Sequence, residues 1–123
     1  MKGLGIDLCS IARIEEAAAR SERFLHRWFT QEERDYFESR GKTAMQSAAA
    51  AFAAKEAFLK AVGLGIGRGI ALQEIAVVHD EFGAPQYALS GAARQILQEM
   101  GAQHAWLSIS HENDTAAAVC VID

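Results

Sequence analysis

Residues 2–8 alternate between apolar and small or polar side chains: Leu4, Ile6 and Leu8 stand against Gly3, Gly5 and Asp7. A period of two is that of a half-buried strand, and it sets Asp7 opposite the leucines at the strand's end. From Ser10 the period lengthens. Ser10 suits an N-cap, and the helix after it carries Ile11, Ile14 and Ala18 on one side, with Arg13, Glu15 and Glu16 outward or at the edge. Residues 24–29 are apolar and basic, with no period that assigns them an element. Thr30 and Glu33 have the spacing of a capping box for a helix over residues 31–40, which Gly41 closes.

The longest helical stretch is alanine-rich. Residues 47–51 are mostly alanine, and FAAKEAFLKAVG over residues 52–63 continues the helix until Gly63 offers a left-handed stop. Phe52, Glu56 and Lys60 fall at i, i+4 and i+8 and so line one face. The alanines leave the helix thin enough for other backbone to approach closely. Glycines 63, 65, 67 and 69, with Arg68 among them, follow at once and suit a loop around a phosphorylated ligand. Beyond it, residues 72–79 and 86–89 read as strands joined by a turn over 80–85. A short amphipathic helix over 91–100 stops at Gly101. Strands over 105–111 and 115–122 flank the turn Glu112-Asn113-Asp114. Helices in the first half and antiparallel hairpins in the second make the class α+β, with helices packed on an antiparallel sheet in one domain spanning residues 1–123.

Composition narrows the function. A chain of 123 residues, half of them hydrophobic and one of them proline, suits one compact core rather than linkers or low-complexity tails. Its net charge of −4 gives no general nucleic-acid signal. Cys9 and Cys120 form no CxxC pair and no secretory leader is visible, which reads as a reduced, cytoplasmic protein. The longest apolar run, residues 48–54, is far too short to span a bilayer.

Four polar residues occupy awkward places for packing. Asp7 ends an otherwise apolar strand, where a turn or cap role would be the ordinary reading. Glu56 and Lys60, one turn apart, could be a surface ion pair worth a few tenths of a kcal/mol. His111 closes a strand, where a satisfied strand-end histidine is common. Together the four are more consistent. Asp and Glu oxygens suit Mg²⁺, which takes one or two protein carboxylates and completes its shell with phosphates and water. Glycine-rich backbone beside a lysine suits a pyrophosphate. The glycine loop is no Walker loop, because no Gly-Lys-Ser/Thr follows, and no dinucleotide fingerprint, because it leaves a helix rather than entering one. No zinc spacing and no GxSxG elbow are present.

In three motifs the chain resembles the small bacterial type of 4′-phosphopantetheinyl transferase, the holo-[acyl-carrier-protein] synthase family. They are Gly5-Ile6-Asp7-Leu8 with Arg13-Ile14, FAAKEAFLKAVGLGIG over residues 52–67, and Ser108-Ile109-Ser110-His111 before an alanine-rich strand. Phe29-Thr30 with Glu33, and Gly83-Ala84-Pro85, also fit. The resemblance implies a homotrimer with active sites between subunits, and CoA and Mg²⁺ as ligands. It implies that Asp7 and Glu56 hold the metal, that Lys60 neutralises phosphate charge, and that His111 sits beside the nucleotide. Phe52, Gly63 and Ile66 match positions around the cofactor. Arg13 matches a position that meets the acidic acyl carrier protein, and Arg20 extends that surface. The implied reaction transfers the 4′-phosphopantetheine arm of CoA to a carrier-protein serine.

Two rivals remain from the sequence: a catalytically impaired paralogue that still binds carrier protein and CoA, and a Mg²⁺-nucleotide enzyme with another acceptor. Asp7, Glu56, Lys60 and His111 are all retained, which speaks against decay. One departure stands out. Where the family usually has arginine before the FAAKEA phenylalanine, this chain has Ala51.

Overall fold

The computed structural model describes residues 1–66 and 68–123; Gly67, one of the loop glycines, lies outside the described residues. Strand β1 (Gly3–Ser10) leads into helices α1 (Ile11–Arg20), α2 (Glu22–Trp28) and α3 (Gln31–Ser39). A 3₁₀ turn over Gly41–Thr43 precedes α4 (Ala44–Ala61), the longest element. After the glycine loop come a 3₁₀ turn (Leu72–Glu74), the hairpin β2 (Ile75–His79) and β3 (Pro85–Leu89), then α5 (Gly91–Glu99). The chain ends on the hairpin β4 (Ala105–Glu112) and β5 (Thr115–Ile122). The larger sheet is antiparallel in the order β1-β5-β4, and β2-β3 forms its own pair beside it. The α+β expectation holds.

Helix α4 lies across the larger sheet, against β1 and β5, and a chain of small residues makes this possible. Ala53, Ala54, Ala57 and Ala61 are buried on the helix, and Ala116 and Ala118 on β5. On β1 the contact residues are glycines. A Cβ on Gly5 would run into the carbonyl of Ala57, and one on Gly3 into that of Ala61. The thin helix anticipated from its alanines is met by a strand equally stripped of side chains.

That contact inverts the ordinary expectation for β1. The alternation is present and Asp7 is opposite the leucines, but the glycine face is the inner one. Leu4, Ile6 and Leu8 point outward at 59, 61 and 66% exposure. Across the sheet Leu4 pairs with Val121, which pairs with Trp106, itself exposed, while Ile6 pairs with Val119. The outer face of the sheet is therefore an uncovered apolar surface.

The local signals act where they were read. Thr30 and Glu33 close the capping box of α3 with bonds of 3.1 and 2.9 Å. Gly63 takes φ 80°, and Leu64 N–H donates to the Leu59 carbonyl at 2.8 Å, ending α4 in a Schellman-type turn. Ser10 caps α1, helped by Asp114 from the β4–β5 turn, which accepts from Ala12 N–H at 2.9 Å. Residues 24–29, unassigned by pattern, are largely helical in α2, because Phe24, Trp28 and Phe29 pack with Phe37 and Phe52. Residues 72–74 form a 3₁₀ turn rather than strand, since the Glu74 carboxylate bonds back to Ala71 N–H and on to Ala92 N–H at the start of α5.

Candidate active site

Two charged clusters meet α4 at consecutive residues. Lys55 is fully buried, and its ammonium donates to Glu33 Oε1 at 2.8 Å and to the carbonyls of Leu72 and Ile75 at 2.9 and 3.0 Å. Glu33, also buried, accepts from Thr30 N–H through Oε1 and from Val77 N–H at 3.0 Å through Oε2. Burial pulls the Lys55 pKa down, and the Glu33 carboxylate opposes that. Lys55 was not singled out from sequence. Its signal is position: it lies four residues after Ala51 and three before Phe58, on the apolar stripe of the helix.

Glu56 turns the other way, toward β1. There the Asp7 carboxylate accepts from Lys60 Nζ at 3.1 Å, and the same ammonium donates to the Ile6 carbonyl at 3.0 Å. So the partner of Lys60 is Asp7, three strand positions before Ser10, rather than Glu56 one turn away on its own helix. Partial burial and then the neighbouring Asp7 carboxylate raise the Glu56 pKa. Two carboxylates against one ammonium leave a local excess of negative charge.

Glu56 stands between two clefts. One, of about 360 Å³, lies between β1, α1 and α4, and Asp7, Arg13, Arg20 and Phe52 share its walls. Cys9 lines it too, its thiol pushed up to about 11 by burial and the adjacent Asp7. The smaller cleft, of about 90 Å³, runs under the glycine loop, bounded by Lys60, Gly65 and Ile66. Gly63 shapes that loop through its left-handed φ. The Phe52 ring packs edge-on against Trp28, centroids 5.4 Å apart.

His111 is elsewhere. It lines a third cleft, of about 250 Å³, between α3, α4 and the ends of the hairpins, together with Gln46, Ala51 and Pro85. The Gln46 side-chain amide nitrogen stands 2.7 Å from His111 Nε2, an N–H donor facing a ring nitrogen that accepts when the ring's proton is on Nδ1. This cleft shares no lining residue with the two around Glu56. Within one chain, then, Asp7, Glu56, Lys60, Phe52, Ile66, Arg13 and Arg20 gather around one region, and His111 does not join them. Among the described residues no helix is long and apolar enough to cross a membrane.

An antiparallel three-stranded sheet crossed by a long helix is a fold that known proteins share. The chain belongs to the 4′-phosphopantetheinyl transferase superfamily, which matches residues 3–120. It is 45% identical over 121 residues to a holo-[acyl-carrier-protein] synthase of Treponema denticola, covering 98% of this chain and 97% of that one. The crystal structure of the holo-[acyl-carrier-protein] synthase from Neisseria meningitidis superposes with TM-score 0.90 at 36% identity, covering 100% of this chain and 98% of that one. The Helicobacter pylori holo-[acyl-carrier-protein] synthase, solved in complex with coenzyme A, gives TM-score 0.83 at 34% identity, covering 98% and 99%.

Proposed function

We propose that this protein transfers the 4′-phosphopantetheine arm of CoA to a serine of apo acyl carrier protein, releasing adenosine 3′,5′-bisphosphate. The observation that carries the reading is the convergence of Asp7, Glu56 and Lys60 beside the glycine loop, in a chain of this family. A binding-only relative would have no need of that cluster. An acceptor other than a carrier protein is disfavoured by the relatives' shared activity.

The metal in this reading is Mg²⁺, held by Asp7 and Glu56. Their fit rests on the charge: partial burial and then the nearby Asp7 carboxylate raise the Glu56 pKa, an unfavourable crowding of negative charge that a hard divalent cation relieves. Such an ion takes one or two protein carboxylates and draws its remaining ligands from phosphate and water. When bound, the ion counters the charge that builds on the leaving phosphate oxygens. Lys60 contributes from the protein side. Two of its three N–H groups are engaged, and at 56% exposure the third, without a partner among the described residues, can meet a pyrophosphate oxygen. Phe52 and Ile66 offer apolar surface on either side of Glu56 for the pantetheine chain, and Gly63 turns the loop. Arg13 and Arg20 face outward at the rim, as suits an acidic carrier protein.

His111 lies in a cleft apart from the cluster, so one chain does not unite both halves of the ligand site. The bare outer face of the β1-β5-β4 sheet supports the homotrimer reading, in which a neighbouring subunit supplies the nucleotide half. Intact-mass measurement of apo carrier protein, incubated with this protein, CoA and Mg²⁺, tests the function: a gain of one phosphopantetheine supports it and no gain refutes it. Sedimentation of Ile6→Lys tests the assembly. A charge at the centre of the outer face should give monomers with intact secondary structure and no transfer; a variant as large and as active as the parent would remove this face from the assembly.

A further inference from the structure

We propose that Arg40 is the specificity residue for the 3′-phosphate of CoA, supplying the guanidinium that this chain lacks at Ala51. The inference rests on the CoA reading above and names a group that the family motifs do not contain. Ala51 is 3% exposed and lines the His111 cleft, so nothing on α4 offers a cation there. Among the residues lining that cleft Arg40 is the sole arginine or lysine, and no aspartate or glutamate joins it. The remaining polar groups are hydroxyls, an amide and two imidazoles. Such a wall suits an anion; on its other side Arg40 borders an adjoining cleft that carries Glu32, Asp80 and Glu81, and it forms an ion pair with none of them among the described residues.

Arg40 is held in place but not consumed. It is the C-cap of α3, immediately before Gly41, whose φ of 58° turns the chain toward α4. Thr43 Oγ1 donates to the Arg40 carbonyl at 3.1 Å, fixing the corner. The guanidinium lies 5.9 Å over the Tyr36 ring, which in turn stacks on His79 at 3.9 Å and an angle of 10°. Among the described residues that guanidinium makes no ion pair and no hydrogen bond. It is an exposed guanidinium, beside the Tyr36 ring, whose donor fork engages no protein acceptor among the described residues. Its charge reaches into the cleft: burial first, and Arg40 next, pull the His79 pKa down, against the opposing pull of Asp80 and Glu33. Lys42 and Arg68, the other cations near in sequence, do not line the cleft.

The choice of phosphate follows from the separation of the clefts. CoA carries a pyrophosphate and a 3′-phosphate. Lys60 and the glycine loop lie in one cleft and account for the pyrophosphate; the His111 cleft, which shares no residue with it, is left for the phosphate on the ribose.

Calorimetric titration with CoA and with 3′-dephospho-CoA, on the wild type, Arg40→Gln and Arg40→Lys, tests the inference without relying on turnover. Arg40→Gln should weaken CoA roughly tenfold, the size of one charge-assisted contact, and leave 3′-dephospho-CoA within about twofold. Arg40→Lys should recover part of the loss, and Ala51→Arg placed in the Arg40→Gln background should recover most of it. In turnover the loss should fall on KM for CoA and spare kcat. Equal weakening of both ligands, or no weakening of CoA, overturns the assignment while leaving the proposed function standing. A wild type that binds neither ligand overturns the proposed function and this inference with it. Thermal unfolding of each variant checks that the exposed Arg40 substitutions and the buried Ala51→Arg leave the fold unchanged.

Discussion

Lys55 and Glu56 are consecutive residues of α4, yet one turns into a sealed cluster and the other into an open one. Around Lys55 every polar atom is spoken for: three N–H donors meet Glu33 Oε1 and two carbonyls, and both Glu33 oxygens also take a backbone N–H. Nothing could enter without breaking a bond. Around Glu56 the accounts differ. Two carboxylates stand near one lysine that bonds only Asp7 of the two, that lysine has a third N–H unengaged among the described residues, and clefts open on both sides. Satisfaction identifies the first cluster as architecture, joining α3, α4 and β2. Incomplete satisfaction identifies the second as a place where a ligand finishes the job.

The comparison predicts opposite responses to the loss of one charge. Lys55→Met should cost about 3–5 kcal/mol of unfolding free energy, because it strands the buried Glu33 carboxylate. Urea denaturation measures this, and a loss under about 1 kcal/mol would show that the cluster is dispensable. Glu33→Gln added to Lys55→Met should return part of the stability, since no buried charge is then left alone.

Asp7→Asn and Glu56→Gln should do the reverse. Transfer should fall on the order of a hundredfold or more, through lost charge stabilisation in the transition state. Stability without metal should hold or rise. The sign follows from the raised Glu56 pKa: the folded state favours its protonated form, so at neutral pH its ionised form disfavours folding, and amide replacement removes that cost. Steady-state rates and thermal midpoints, measured on the same samples, decide. A variant that is both inactive and clearly destabilised would put Asp7 and Glu56 with Lys55, as architecture.

How much of this was legible beforehand differs between the two clusters for a physical reason. The open cluster could be read because its residues have no local purpose: an aspartate ending a strand, and a glutamate and lysine stacked on a helix face before a glycine loop. The sealed cluster was half visible. Glu33 declared itself through the capping box, but its second partner is a lysine 22 residues on, and that pairing depends on tertiary packing. The inner face of β1 was hidden for a related reason. Hydrophobicity assigns Leu4, Ile6 and Leu8 to a core, and only the close approach of α4 makes Gly3 and Gly5 the inner side. His111 came from motif order, which carries no information on which cleft receives it. Capping and turn signals, by contrast, act within a few residues, and they held at Thr30, Gly63 and Asn113.

The smallest expected effect lies at the rim of the open cluster. Arg13 is exposed on α1 and lines the same cleft as Asp7 and Glu56, and its backbone N–H serves the Ser10 cap while its side chain faces solvent. Arg13→Glu reverses a charge where an acidic carrier protein would arrive. Rim charges act on encounter more than on the bound state, so KM for the carrier protein should rise several-fold while KM for CoA changes little. The effect should shrink as salt is raised from roughly 0.05 to 0.5 M, because the Debye length falls from above 10 Å to a few ångströms. Lys55→Met should show no such salt dependence, since its partners are shielded from ions. A loss at Arg13 that persists in high salt, or that falls on kcat, would move this residue from the rim into the cluster itself, and the boundary between the open site and its docking surface would have to be redrawn at α1.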